Sequence, residues 1–235
     1  MMRPSDLRTS AHLRAEPDHF GIVLVLLVAA YMLFVLSDST LARVIVGALY
    51  VAALVYAVRA SQPGRKLQLT VRVIIVGGAV SIVVAALALS DEDAAGVIDA
   101  VLALVMFSAL LCVLDRLLTA QDVTARLIAG ALSAYLMVGM CFASVFGVLS
   151  WLQSGPFFVN GEAAHAEALQ YFSFTTLTTL GYGDLTAVSS AGRGLSVLEA
   201  LVGQVFLAVL IARLVGSFRR PAAVTPPRQE DSDPT

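Results

Sequence analysis

Apolar residues along the chain gather into six long runs, approximately Phe20 to Leu36, Leu41 to Val58, Val71 to Leu89, Gly96 to Leu114, Leu127 to Trp151 and Leu195 to Ser217. The runs are continuous rather than alternating, which predicts helices and excludes barrel strands of about 11 residues. A hydrocarbon layer about 30 Å thick is crossed by roughly 20 helical residues at about 1.5 Å each. Each run is near that length, so the expected fold class is all-α integral membrane, with six transmembrane helices. The fifth run is the cleanest, with no charged residue between Arg126 and Glu162. The first exceeds the usual signal-peptide core of about 7 to 15 residues, and a long segment of mixed charge precedes it, so a retained helix is expected.

Composition agrees with the pattern. Of 235 residues, 58% are hydrophobic and 14% charged, against about 25% charged in an ordinary soluble domain. The formal net charge of −2 leaves no basic excess for a phosphate backbone, so no nucleic-acid partner is expected. The placement of charge says more than its sum. Thirteen of the fifteen Lys and Arg fall before the first run, between the second and third, between the fourth and fifth, or after the start of Arg213. The opposite connections, around 38–40, 91–93 and 153–190, contain none. Basic residues concentrate on the cytoplasmic side, which puts both termini inside a multi-pass plasma-membrane protein. Arg43 and Arg193 are the exceptions, each at an outer helix end from which a long side chain can reach the headgroups.

Residues 1–19 are then a cytoplasmic N-terminal segment, and 219–235, rich in Pro and acidic residues, a disordered cytoplasmic tail. Cys112 and Cys141 lie within apolar runs and read as small buried side chains rather than a disulfide or a metal pair. His12, His19 and His165 lack ligand spacing, so neither a metal site nor a cofactor is expected.

The connection between the fifth and sixth runs is about forty residues long, too many for a turn. Ala166 to Thr178 reads as a short helix of about 20 Å, able to enter a membrane without crossing it. Such a re-entrant element is tolerated only where protein or water covers its ends. Glu167 suits the positive end of its dipole, and the carboxyl end near Thr178 directs about half a negative charge inward. Thr179, Leu180, Gly181, Tyr182, Gly183 and Asp184 follow. Successive carbonyls of an extended chain face opposite sides. To face one axis, alternate residues must adopt mirror-image dihedrals, and Gly181 and Gly183 stand at that spacing. A column of carbonyls, extended inward by the Thr179 hydroxyl, replaces the water shell of a monovalent cation, whose uncompensated loss costs tens of kcal/mol. One chain supplies one wall only, so the arrangement requires an oligomer.

The stretch from Thr176 to Asp184, TLTTLGYGD, resembles the selectivity filter of potassium channels, with Leu180 where the family has valine. The resemblance covers roughly Leu127 to Ser217. It implies a pore domain over 119–218, made of outer helix, pore helix, filter and inner helix, and a homotetramer conducting K+ passively without enzymatic chemistry. It further implies ion-facing oxygens at Thr179, Leu180, Gly181 and Tyr182, and an outer mouth at Gly183 and Asp184. Thr176 and Thr178 belong to the pore helix. Phe172 and Thr175 stand where some members place a tryptophan and a carboxylate that bond the aspartate after the filter, and Phe172 cannot donate such a bond. Gly203 is a candidate gating hinge or a site of close helix packing. Gln204 is a cavity or interhelical residue, and Ile211 and Leu214 are inner-gate candidates by position.

Residues 20–118 match the family's front half in helix number, but the fourth run has no arginine ladder. Each gating charge is worth about 2.3 kcal/mol per 100 mV, so weak voltage dependence is expected. Glu199, near the start of the sixth run, reads as a structural group in contact with water or a polar neighbour. A less selective cation channel is the first alternative. A six-helix transporter or intramembrane protease is the second, should the filter motif be accidental; the absence of a G-x-S-G nucleophile and of central charges argues against it.

Overall fold

The computed structural model describes residues 20–36, 40–61, 65–120 and 124–218. The expected cytoplasmic segment 1–19, with His12 and His19, and the tail 219–235 lie outside these residues. Seven helices follow in order: α1 Phe20–Leu36, α2 Thr40–Ser61, α3 Arg65–Ala88, α4 Asp91–Thr119, α5 Ala125–Leu152, α6 Ala166–Leu177 and α7 Ser190–Phe218. The described residues contain no strand, only one isolated antiparallel bridge between Phe158 and Ala187.

Several helices outrun the apolar stretches that announced them, because hydropathy marks where a helix is greasy while capping marks where it starts. α4 begins where the Ser90 hydroxyl accepts from the Asp93 N–H, and α5 where Thr124 accepts from Leu127 N–H. Three segments are long and apolar enough to cross a membrane: Asp93–Thr119, Ala125–Leu152 and Ser190–Gly216. Shorter apolar helices run over Phe20–Leu36, Ala48–Ser61 and Leu69–Ala85.

α5 is the central element, packing on α1, α4, α6 and α7. Its small residues permit this. Gly130 abuts the ring of Phe20, and Gly139 the ring of Phe174, so a β-carbon at either position would crowd an aromatic face. One apolar cluster joins α1, α2, α4 and α5 through Val23, Leu27, Ala57, Val113 and Met137, and reaches Leu177 at the end of α6. A second cluster, nearly all aromatic, gathers Phe146, Phe157, Phe158 and Phe172 around the start of α6, with ring centroids 4.9 to 6.0 Å apart. It anchors α6 from outside, where the chain turns back. The segment before α6 also lies along the one after residues 179–184: Val159 N–H donates to Thr186 carbonyl at 2.9 Å, and Val188 N–H to Phe157 carbonyl at 3.0 Å.

Candidate functional site

α6 is twelve residues long and ends at Leu177, with Thr178 as its C-cap. Its last carbonyls would be unpaired at the end of a helix, and the following segment supplies the donors. Thr179 N–H donates to Thr176 carbonyl at 2.9 Å. Leu180 N–H and Gly181 N–H both donate to Thr175 carbonyl, at 2.9 and 3.1 Å. The chain is thereby folded tightly back against the end of α6.

Dihedral angles show how it does so. Thr179, Gly181 and Gly183 have φ of 57°, 52° and 82°, left-handed values at every second position. The two glycines accept this without steric cost. Thr179 does not, and the sequence carried no sign of it, since threonine is a poor left-handed residue. The strain is held by neighbours on both sides: its N–H is bonded to Thr176, and its hydroxyl accepts from the Gln204 side-chain amide of α7 at 3.2 Å. Left-handed values at 179, 181 and 183, with Leu180 and Tyr182 between them, are the spacing that a chain with carbonyls on a common side requires. Leu180 and Tyr182 are exposed on this chain, at 55% and 68%.

The end of the loop at Asp184 is fixed by a residue that sequence reasoning passed over. Tyr171, one turn into α6, donates its phenol O–H to Asp184 Oδ2 at 2.9 Å, and its ring stacks parallel to that of Tyr182, centroids 6.4 Å apart. Loss of water, with the Asp184 carboxylate beside it, holds the Tyr171 hydroxyl above its usual value. Asp184 is therefore gripped through position 171, not through 172 or 175. Phe172 is buried in the aromatic cluster instead. Thr175 turns its hydroxyl back to Phe172 carbonyl at 3.0 Å and serves the filter-like loop through its own carbonyl. Thr178 likewise bonds back, to Phe174 carbonyl at 2.7 Å. Asn160 adds a bond to the Asp184 carbonyl at 3.2 Å, a second contact invisible in the local sequence.

The end of the loop next to α6 rests on α5 and α7. Tyr135 of α5 donates to Leu177 carbonyl at 3.2 Å. Gly203 lies so close to that same carbonyl that a β-carbon would overlap its oxygen. Gly203 thus has a packing reason for being glycine. Ile211 is exposed farther along α7, and Leu214 is half-buried, lining an apolar cavity of about 420 Å³ between α4, α5 and α7.

Glu199 meets the second of the two surroundings expected for it, a polar neighbour rather than water. α7 starts at Ser190, so Glu199 stands in its third turn, fully buried, with Oε1 2.5 Å from the Ser173 hydroxyl of α6. It does not reach water. Cys112 and Cys141 are buried free thiols, and among the described residues no His, Cys, Asp and Glu group has a metal-binding arrangement.

Residues 135–220 match the family model described as ion channel. That interval holds α6, the loop after it and all of α7. The chain is also 32% identical over 109 residues to the inward rectifier potassium channel Kirbac3.1 of Paramagnetospirillum magnetotacticum, covering 46% of this chain and 34% of that protein. It is 32% identical over 87 residues to Protein LctB of Bacillus caldotenax, covering 34% of this chain and 64% of that protein. The chain thus spans about a third of one relative and under two thirds of the other. No solved structure matches it. Together the matches and the apolar helices support a membrane ion channel, and the relative named for its ion is a potassium channel.

Proposed function

We propose that four copies of this chain assemble around a common axis into a potassium-selective channel that conducts passively. The observation that carries the reading is the alternation at Thr179, Gly181 and Gly183, with the N–H groups of Leu180 and Gly181 drawn back to α6. Carbonyls of 179–182 then line one exposed side, and four such walls surround a dehydrated K+ with oxygens. The exposure of Leu180, Tyr182 and the apolar stripe Val197, Leu201, Val205 and Val209 on α7 supports burial against further copies. K+ is the transported species and no cofactor takes part.

In this reading α1 to α5 and α7 make six crossings with both termini cytoplasmic, α6 is re-entrant, and 179–184 lies at the outer face. The carboxyl end of α6 points its negative dipole end toward the inner mouth, where Gln204 and Thr179 meet. Gly183 and Asp184 form the outer mouth. Ile211 and Leu214 as constriction complete the conduction path, with Gly203 packed against the Leu177 carbonyl above them.

Purified protein in liposomes, loaded with K+ and driven by a K+ gradient, tests this. Wild type is expected to carry K+ flux and to run as a tetramer. The Tyr182→Ala variant is expected to lose selective flux while still assembling. Equal flux in the two contradicts the proposal.

A further inference from the structure

Behind α6, away from the ion-facing loop, three helices meet at one hydroxyl. Ser173 Oγ lies 2.7 Å from the Gly139 carbonyl of α5 and 2.5 Å from Glu199 Oε1 of α7. Ser173 and Glu199 have no exposed surface. A serine hydroxyl has one proton to give. A main-chain carbonyl can only accept, and an ionised carboxylate can only accept, so with Glu199 ionised one proton would have to serve two acceptors. The unserved contact would set two oxygen lone pairs against each other at hydrogen-bonding distance. A protonated Glu199 removes the conflict: its O–H donates to Ser173 Oγ, and Ser173 donates onward to Gly139.

The surroundings agree. Glu199 Oε2 is buried with no hydrogen-bond partner, tolerable for a neutral acid and expensive for a carboxylate. The ionisable groups facing Glu199 are Tyr135 and Cys141, both on α5. α6 presents only the Ser173 hydroxyl, and on α7 the Arg193 guanidinium donates instead to the Ala187 carbonyl at 3.0 Å. Among the described residues no cation pairs with Glu199.

We infer that Glu199 is a neutral, proton-donating positioning residue, which through Ser173 and Gly139 clamps α6 between α5 and α7 and so fixes the height of the loop that α6 carries. The clamp acts at a distance from the ions. Ser173 stands two residues before Thr175, whose carbonyl holds the Leu180 and Gly181 N–H groups. Rotation or sliding of α6 at Ser173 is therefore transmitted to that loop. The assignment rests on the potassium-channel reading for its functional consequence, though not for its chemistry.

Three variants and two readouts test it. Glutamine keeps a neutral group with a donor in place, alanine removes it, and Ser173→Ala breaks the middle link. In reconstituted full-length protein at neutral pH, E199Q is expected to keep K+ flux within about twofold of wild type and to melt at a similar temperature. E199A and S173A are expected to lower both, with flux falling by about tenfold or more. Difference infrared spectra of wild type against E199Q report the proton directly: the carbonyl stretch of a protonated carboxylic acid is expected in wild type and missing in the variant. A carboxylate signature in its place overturns the inference, as does an E199Q variant no better than E199A. Should wild-type liposomes carry no K+, the channel reading fails, while infrared band and melting temperatures still decide whether the clamp exists.

Discussion

In the front half, α1 to α4 meet through apolar side chains and small residues such as Ala53, Ala57, Ala109 and Cys112, all buried, and the hydroxyls of Ser61 and Ser108 bond back into their own helices. From α5 onward Ser133, Thr175, Thr178 and Ser196 still bond back along their own helices, but bonds between elements join them. Tyr135, Tyr171, Ser173 and Gln204 each send a hydrogen bond to another element, and all four bonds involve α6 or the seven residues after it. Apolar packing holds helices together with tolerance for exchange among side chains of like volume. Directed bonds to main-chain atoms set the backbone itself and tolerate little.

The sharpest way to break this contrast is at Gly181. With φ at 52°, a β-carbon there costs about 1 to 2 kcal/mol in each copy. Gly181→Ala is therefore expected to reduce K+ flux by about a hundredfold or more when four copies are strained together. Unchanged flux would show that the left-handed turn is unimportant to conduction. Next is Gly203→Ala, which pushes a methyl group into the Leu177 carbonyl. Overpacking of this kind costs about 1 to 3 kcal/mol, so a fall of several degrees in melting temperature is expected, alongside reduced flux. Altered gating at an unchanged melting temperature would favour a hinge instead. Tyr171→Phe keeps the ring stack on Tyr182 but removes the grip on Asp184. It should leave the initial current nearly intact and hasten its decline during sustained conduction, as read in single-channel records. The smallest effect is expected in the front half. Asp99, on α4 beside Gly147 of α5, is the group to change: Asp99→Asn should leave voltage dependence as it was, and wild type itself should respond far less than the roughly 50-fold per 100 mV that one charge crossing the whole field confers. A steep response in either protein would give α1 to α4 a sensing role that their charges do not suggest.

Much of this was legible in one dimension. The apolar runs place α1 and α5 to within two residues, the short helix read over Ala166 to Thr178 places α6 to within one, and the two glycines at alternate positions announce a mirrored backbone. What stayed hidden are pairings set by helix rotation. Whether Tyr171 or Phe172 faces Asp184 depends on a turn of about 100° per residue, which a local motif does not resolve. Thr179 adopts a left-handed φ because Thr176 and Gln204 hold it, and Gln204 is 25 residues away in sequence. The depth of Glu199 stayed hidden for a simpler reason: α7 begins five residues before its apolar run, at Ser190 rather than Leu195, and this carries the carboxyl a turn deeper than hydropathy indicates.

The central claim concerns which ion the carbonyl wall accepts, and the reversal potential across a bilayer with K+ on one side and Na+ on the other measures that most directly. A potential that moves with the K+ gradient and ignores Na+ is the result this account requires. One that tracks the sum of the two cations would instead make the protein a nonselective channel and contradict the proposed filter.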